Sequence, residues 1–116
     1  MKIRIKGNSL RYRLTKTDVA LFSKEGYLEE TTTFGTQRLV YALQRSVVDE
    51  LTATFQHNKI TLFMPDNMAE EWELTERVGF ENSNSQLYLL IEKDFKCLDN
   101  VAEDQSDNYP NPLVLP

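Results

Sequence analysis

Ile3 and Ile5 alternate with Lys2, Arg4 and Lys6, and Leu10, Tyr12 and Leu14 alternate with Arg11 and Arg13 on the far side of Gly7-Asn8. Period-two patterning on both sides of a two-residue turn specifies a β-hairpin, since Gly reaches the positive φ that such turns require. The turn also sets the register. Ile5 then faces Leu10 and Ile3 faces Tyr12 on an apolar side, while Arg4 faces Arg11 and Lys2 faces Arg13 on the other. A hairpin with one apolar face cannot stand alone and needs a covering layer. Like charges directly opposed in a sheet are destabilising, by an amount on the order of 1 kcal/mol at ~4 Å in water and less with salt. Five cations on one hairpin face therefore call for a physical reason.

The same logic reads the rest of the chain. Thr15-Lys16-Thr17-Asp18 is a helix start with a capping-box pattern, Val19 and Phe22 share a face, and Gly26 stops the helix, giving residues 16–24. Two strands follow at Tyr27–Phe34 and Arg38–Arg45 with Gly35 in the turn. Leu51, Ala53 and Phe55 then alternate with polar residues up to a His57-Asn58 turn, and Ile60, Leu62 and Met64 continue the apolar face. Pro65-Asp66-Asn67 opens a second helix with Asp66 expected as its cap, and Met68, Ala69 and Trp72 form its apolar side. Strands at Arg77–Glu81 and Gln86–Lys93 complete the pattern. Leu87-Tyr88-Leu89-Leu90-Ile91 is apolar at every position, as in a central strand covered on both faces.

Strand, strand, helix, strand, strand thus occurs twice. A shift of about fifty residues lays Ile5 on Phe55, Asn8 on Asn58, Leu10 on Ile60, Leu14 on Met64 and Phe22 on Trp72, with Phe80 near Glu30. The expected fold is α+β and mostly antiparallel, with about eight strands and two short helices. A tandem ββαββ duplication (residues 1–46 and 50–94) would pack about a pseudo-two-fold axis, as a sandwich-like pair of sheets or a partly closed barrel. Residues 1–98 read as one domain and 99–116 as an acidic Pro- and Asn-containing tail.

Composition bounds the function. The chain has 116 residues, 41% hydrophobic, with a net charge of −5, which suits a single globular domain with a real core. The charge is graded: residues 1–24 carry seven Lys and Arg against Asp18 alone, and residues 66–116 carry three against twelve carboxylates. A lone cysteine, Cys97, allows no internal disulfide. No apolar run is long enough for a membrane helix and the opening residues lack a signal-peptide core, so a cytoplasmic location with no membrane contact is expected.

The expected site is the basic hairpin face of Lys2, Arg4, Lys6, Arg11 and Arg13. Three explanations compete for it: neutralisation by the tail acids Asp99, Glu103, Asp104 and Asp107, an external anion or acidic partner, or cations that only guard the sheet against mispairing. Nucleic acid is disfavoured, because the domain is net acidic and Tyr12 points to the core. The four tail acids are also hard oxygen ligands, but they lack the EF-hand Asp-x-Asp-x-Asp-Gly core, and metal is not the favoured reading. A catalytic Cys97–His57 pair is disfavoured because His57 falls in a hairpin turn. No phosphate loop, dinucleotide fingerprint or nucleophile-elbow motif occurs, so no cofactor is expected.

The opening Lys2–Lys16, the run Glu29-Glu30-Thr31-Thr32-Thr33-Phe34-Gly35, and the closing Asp94-Phe95-Lys96-Cys97-Leu98, Glu103-Asp104, Asp107 and Tyr109-Pro110-Asn111-Pro112 together resemble a family of small, uncharacterised bacterial proteins. That resemblance spans nearly the whole chain and implies no activity, substrate or cofactor. The expected function is non-enzymatic: binding of a small anion or acidic protein partner through the hairpin face. The alternative is an assembly protein, such as a homodimer, that pairs through a sheet edge with its basic face neutralised by its own tail.

Overall fold

The first hairpin forms as its turn dictates. Strand β1 (Lys2–Lys6) and β2 (Ser9–Leu14) pair antiparallel, with Arg4 opposite Arg11 and Ile5 opposite Leu10; Gly7 takes φ 53°. The structure, a computed structural model, describes residues 1–84, 86–96 and 105–111. Helix α1 (Lys16–Glu25) is closed by the reciprocal capping box of Thr15 and Asp18 and ends at Gly26, whose N–H donates to the Phe22 carbonyl. Its left-handed φ of 73° explains why a glycine stands there. Next come β3 (Tyr27–Phe34), β4 (Gln37–Ser46), β5 (Thr52–Gln56) and β6 (Lys59–Pro65). The β5–β6 turn places His57 and Asn58 at φ 52° and 62°, the pair of positive angles of a type I′ turn.

Helix α2 (Asp66–Leu74) starts differently from expectation. Pro65 holds the cap position and no side chain caps the helix. Asp66 lies inside the first turn, where the helix dipole favours a carboxylate, and accepts from Arg45 Nε at 3.0 Å. Strands β7 (Gly79–Asn82) and β8 (Tyr88–Lys93) follow.

The strands form two four-stranded sheets, ordered β1-β2-β8-β7 and β3-β4-β6-β5. Most pairings are antiparallel, but each sheet is joined at its middle by a parallel pair, β2 with β8 and β4 with β6. The pairing diagram maps onto itself when β1-β2-α1-β3-β4 is exchanged for β5-β6-α2-β7-β8. The correspondence extends to single bonds: Tyr88 N–H donates to the Asn8 carbonyl as Val40 N–H donates to that of Asn58, both at 3.0 Å. In this frame Leu28, opposite Leu43, takes the place of Phe80, opposite Ile91. The partner of Phe80 is therefore Leu28 and not Glu30, because the second helix-to-strand connection is two residues longer.

Both sheets contribute to one core. Leu10, Tyr12, Leu14, Leu89 and Ile91 from one meet Leu43, Leu62 and Met64 from the other, and Val19, Phe22, Ala69 and Trp72 from the helices close one end. The Tyr12 and Tyr41 rings meet edge-on at 6.2 Å across the layers. Strand β8 is central, but only one of its faces is fully covered: Leu89, Ile91 and Lys93 are buried while Tyr88, Leu90 and Glu92 are half-buried. The expectation of two covered faces fails because the second face meets the side chains of Arg11, Arg13 and Glu81 rather than another layer.

Part of the segment read as an acidic tail pairs with the rest of the fold. Phe95 bridges in parallel to Tyr109, Tyr109 N–H donates to the Asp94 carbonyl, and Lys16 N–H donates to the Asp107 carbonyl. No helix among the described residues is long and apolar enough to cross a membrane.

Candidate functional site: the basic hairpin and its free edge

The register set by Gly7-Asn8 lines Lys2, Arg4, Lys6, Arg11 and Arg13 along the outer surface of the first sheet. The parallel pairing then brings β8 alongside. Arg13 stands opposite Glu92 and Arg11 opposite Leu90. The Glu92 carboxylate accepts from Arg13 Nε at 2.9 Å and lies 3.6 Å from Arg11 Nε. Lys2 Nζ lies 3.1 Å from Asp94. Three of the five cations are thus met from within the chain.

Among the described residues the acids that meet them are Glu92 and Asp94. Of the expected tail acids, Asp99, Glu103 and Asp104 lie outside the described residues, as does Cys97. Asp107 sits at the start of α1, where its carboxylate accepts from the Thr17 N–H and hydroxyl. Hydrogen bonds from the Thr15 and Thr17 side chains hold its pKa below the usual carboxylate value. Glu92 was visible in the sequence as the charge that ends the apolar run of β8. Nothing in the local pattern places that strand beside the hairpin, since the two are separated by most of the chain.

Arg4 and Lys6 remain. Neither has an ion pair among the described residues, and both are exposed. They flank Ile5 on β1, which is an edge strand of its sheet. In an antiparallel pair only alternate residues bond to the partner. Lys6, Arg4 and Lys2 do so here, because Lys6 and Ser9 flank the two-residue turn. The backbone N–H and C=O of Ile3 and Ile5 therefore point off the free edge. The Ile5 side chain turns to the inner side of the sheet and is 59% exposed.

Ile5 belongs to an apolar groove of about 390 Å³ at the hairpin-tip end of the molecule, where its pairing counterpart Phe55, 66% exposed, forms the opposite wall with Leu39 and Leu87 between them. The turns around this groove carry Lys6, Arg38 and Lys59. Lys59 is engaged by Tyr27 and Glu29: its ammonium lies 4.8 Å from the Tyr27 ring centroid, and its pKa is raised chiefly by the Tyr27 side chain. The opposite, helical end carries Asp66, Glu70, Glu71, Glu73 and Glu76 on α2 and the residues after it.

The other candidates are placed as follows among the described residues. His57 is in its turn, distant in the fold from the β8 exit that leads to Cys97. Among the described residues no group of three or more His, Cys, Asp or Glu is placed to hold a metal ion. Trp72 is a core anchor whose indole N–H donates to the Val78 carbonyl at 3.0 Å.

A model of the family of unknown function DUF7009 matches residues 1–113 of this chain. The chain belongs to that family. No curated protein and no solved structure matches it. Family membership therefore establishes kinship along nearly the whole DUF7009 chain without assigning a chemistry.

Proposed function

We propose that this protein is a non-enzymatic docking module whose basic hairpin takes an acidic, extended segment of a partner as an added strand on β1. The observation that carries this reading is the pattern on the free edge: exposed Ile5 between Arg4 and Lys6, which have no ion pair among the described residues, with the backbone of Ile3 and Ile5 directed outward. Strand addition draws its affinity from main-chain hydrogen bonds and its selectivity from alternate side chains. An incoming strand with alternating acidic and apolar residues would set its carboxylates beside Arg4 and Lys6 on the outer face. Its apolar residues would turn inward beside Ile5 and the groove. Arg11 and Arg13 add to the attractive field while held in place by Glu92, and Lys2 is held by Asp94.

The pattern disfavours self-pairing through this edge. A second copy of β1 added antiparallel would set its own Arg4 and Lys6 against this pair, and charged edges are a standard defence against such pairing. The test is fluorescence anisotropy with a labelled (Glu-Val)4 peptide and a (Lys-Val)4 control at several salt concentrations. The expected result is saturable binding of the acidic peptide alone, weakened by salt and lost in Arg4→Glu/Lys6→Glu. Equal binding of both peptides, or binding indifferent to the charge reversal, overturns the proposal.

A further inference from the structure

A separate cavity lies at the helical end of the molecule. A cavity of about 480 Å³ opens between the end of α2, the end of β8 and the returning 105–111 segment, with walls that include Val19, Trp72, Val78, Phe95 and Tyr109. Its size falls in the range of small-molecule sites and its lining is largely apolar. One wall residue breaks that character. Lys93 follows Leu89 and Ile91 on the inward face of β8, where the strand period calls for another apolar side chain, and it is buried.

The position of Lys93 is informative when set beside its pairing counterpart in the other half, Arg45. Arg45 is met by two carboxylates, Asp66 at 3.0 Å and Glu70 at 3.4 Å. Lys93 has no carboxylate within ion-pair distance among the described residues. Its ammonium donates to the Thr75 carbonyl at 3.0 Å and lies 5.2 Å from the Tyr109 ring centroid. The carbonyl belongs to the C-terminal end of α2, whose last turn holds no basic residue, so Lys93 also answers the negative end of that helix dipole. Burial lowers the Lys93 pKa, and the field of Glu76 opposes that shift only in part. An ammonium has three donors. One is committed to Thr75, and no acceptor for the others occurs among the described residues.

We infer that this cavity binds a small monocarboxylate with an apolar body, its carboxylate on Lys93 Nζ and its hydrocarbon against Trp72, Phe95 and Tyr109. A carboxylate supplies the counter-ion that Arg45 has and that Lys93 lacks among the described residues, and the apolar walls fit an alkyl or aryl chain. The exposed carboxylates Glu73 and Glu76 at the rim would repel a second negative charge, which selects monoacids over diacids. The site is independent of the hairpin edge.

Trp72 is the chain's one tryptophan and lines the cavity, so its emission reports occupancy directly. The experiment titrates the full chain with octanoate, with octanol and with suberate, a diacid of the same length. A saturable emission change is expected with octanoate, with the alcohol and the diacid about tenfold weaker or more, as for loss of a charge-assisted hydrogen bond. Lys93→Met, which keeps the side-chain bulk, should weaken octanoate by a similar factor and leave octanol unchanged. Octanoate should also slow labelling of Lys93 by an amine-reactive reagent in the wild-type chain, read by peptide mass spectrometry, which holds even if the variant does not fold. Equal affinity for acid and alcohol, no saturable change with octanoate, or Lys93 labelling indifferent to octanoate overturns the inference.

Discussion

Glu92→Gln separates stability from binding at the hairpin surface. The Glu92 carboxylate sits 2.9 Å from Arg13 Nε and 3.6 Å from Arg11 Nε. At these distances each attraction is on the order of 1 kcal/mol in a water-like dielectric. The two arginines are a third or more exposed and Glu92 about a fifth, so solvent screening reduces the net value to about 0.2–1 kcal/mol per pair. The substitution also leaves the Arg4–Arg11 opposition uncompensated. The expected loss is about 0.4–2 kcal/mol in total, a fall in Tm of a few degrees for a domain of this size. Added salt should shrink the deficit, because screening weakens the lost attraction. Binding moves the other way: with one fewer carboxylate in the patch, the (Glu-Val)4 peptide should bind more tightly and with a steeper salt dependence. Differential scanning calorimetry and anisotropy on the same preparation read both. A variant as stable as wild type with unchanged peptide affinity would refute the claim that Glu92 restrains this surface.

Three further outcomes follow from the geometry. A Cβ at Gly79 would collide with the Ile91 carbonyl and the Glu92 backbone, so Gly79→Ala should cost about 1–3 kcal/mol by overpacking and expose the β7–β8 amides to hydrogen exchange. Tyr12 is buried and donates to the Ile60 carbonyl at 3.3 Å, and burial raises its pKa. The raised folded value means that its contribution is complete below the ordinary tyrosine value near 10.0 and is lost as pH climbs above it. Tyr12→Phe should therefore cost about 1 kcal/mol at neutral pH and show a smaller loss of stability in alkaline denaturation. For Asp107 the sign is opposite: its depressed folded pKa stabilises above the unfolded carboxylate value, and the benefit disappears as pH falls through the folded one. Protection of the Tyr109 amide should drop at acid pH in wild type, and Asp107→Asn should show that reduced protection already at neutral pH.

The hairpin register was legible because a two-residue turn and strict alternation leave no other choice, and the capping box and Gly26 were legible because helix ends are written in local chemistry. The parallel pairing of β2 with β8 was not, since it joins residues 79 positions apart, Ser9 to Tyr88, and no local pattern encodes such a partner. That omission hid Glu92 and Asp94 as the acids beside the hairpin. The sequence did signal the central place of β8, but its continuous apolar run overstated the cover: Leu90 is shielded by neighbouring long side chains rather than by a layer. Asp66 read as a cap because its residue type fits one, whereas Arg45 claims it for an ion pair. Lys93 carried no signal beyond its parity in the strand, which gained meaning only when the cavity around it was known.

Each sheet draws two strands from the first half of the chain and two from the second. A ribosome therefore releases β2 with one side bare and holds it so until β8, the last strand among the described residues, emerges. Nascent first halves carry unsatisfied inner edges that suit only the half still to come, so productive folding must wait until β8 has been synthesised, and a chain cut in the linker near residues 47–50 should regain its shape only when both fragments are mixed.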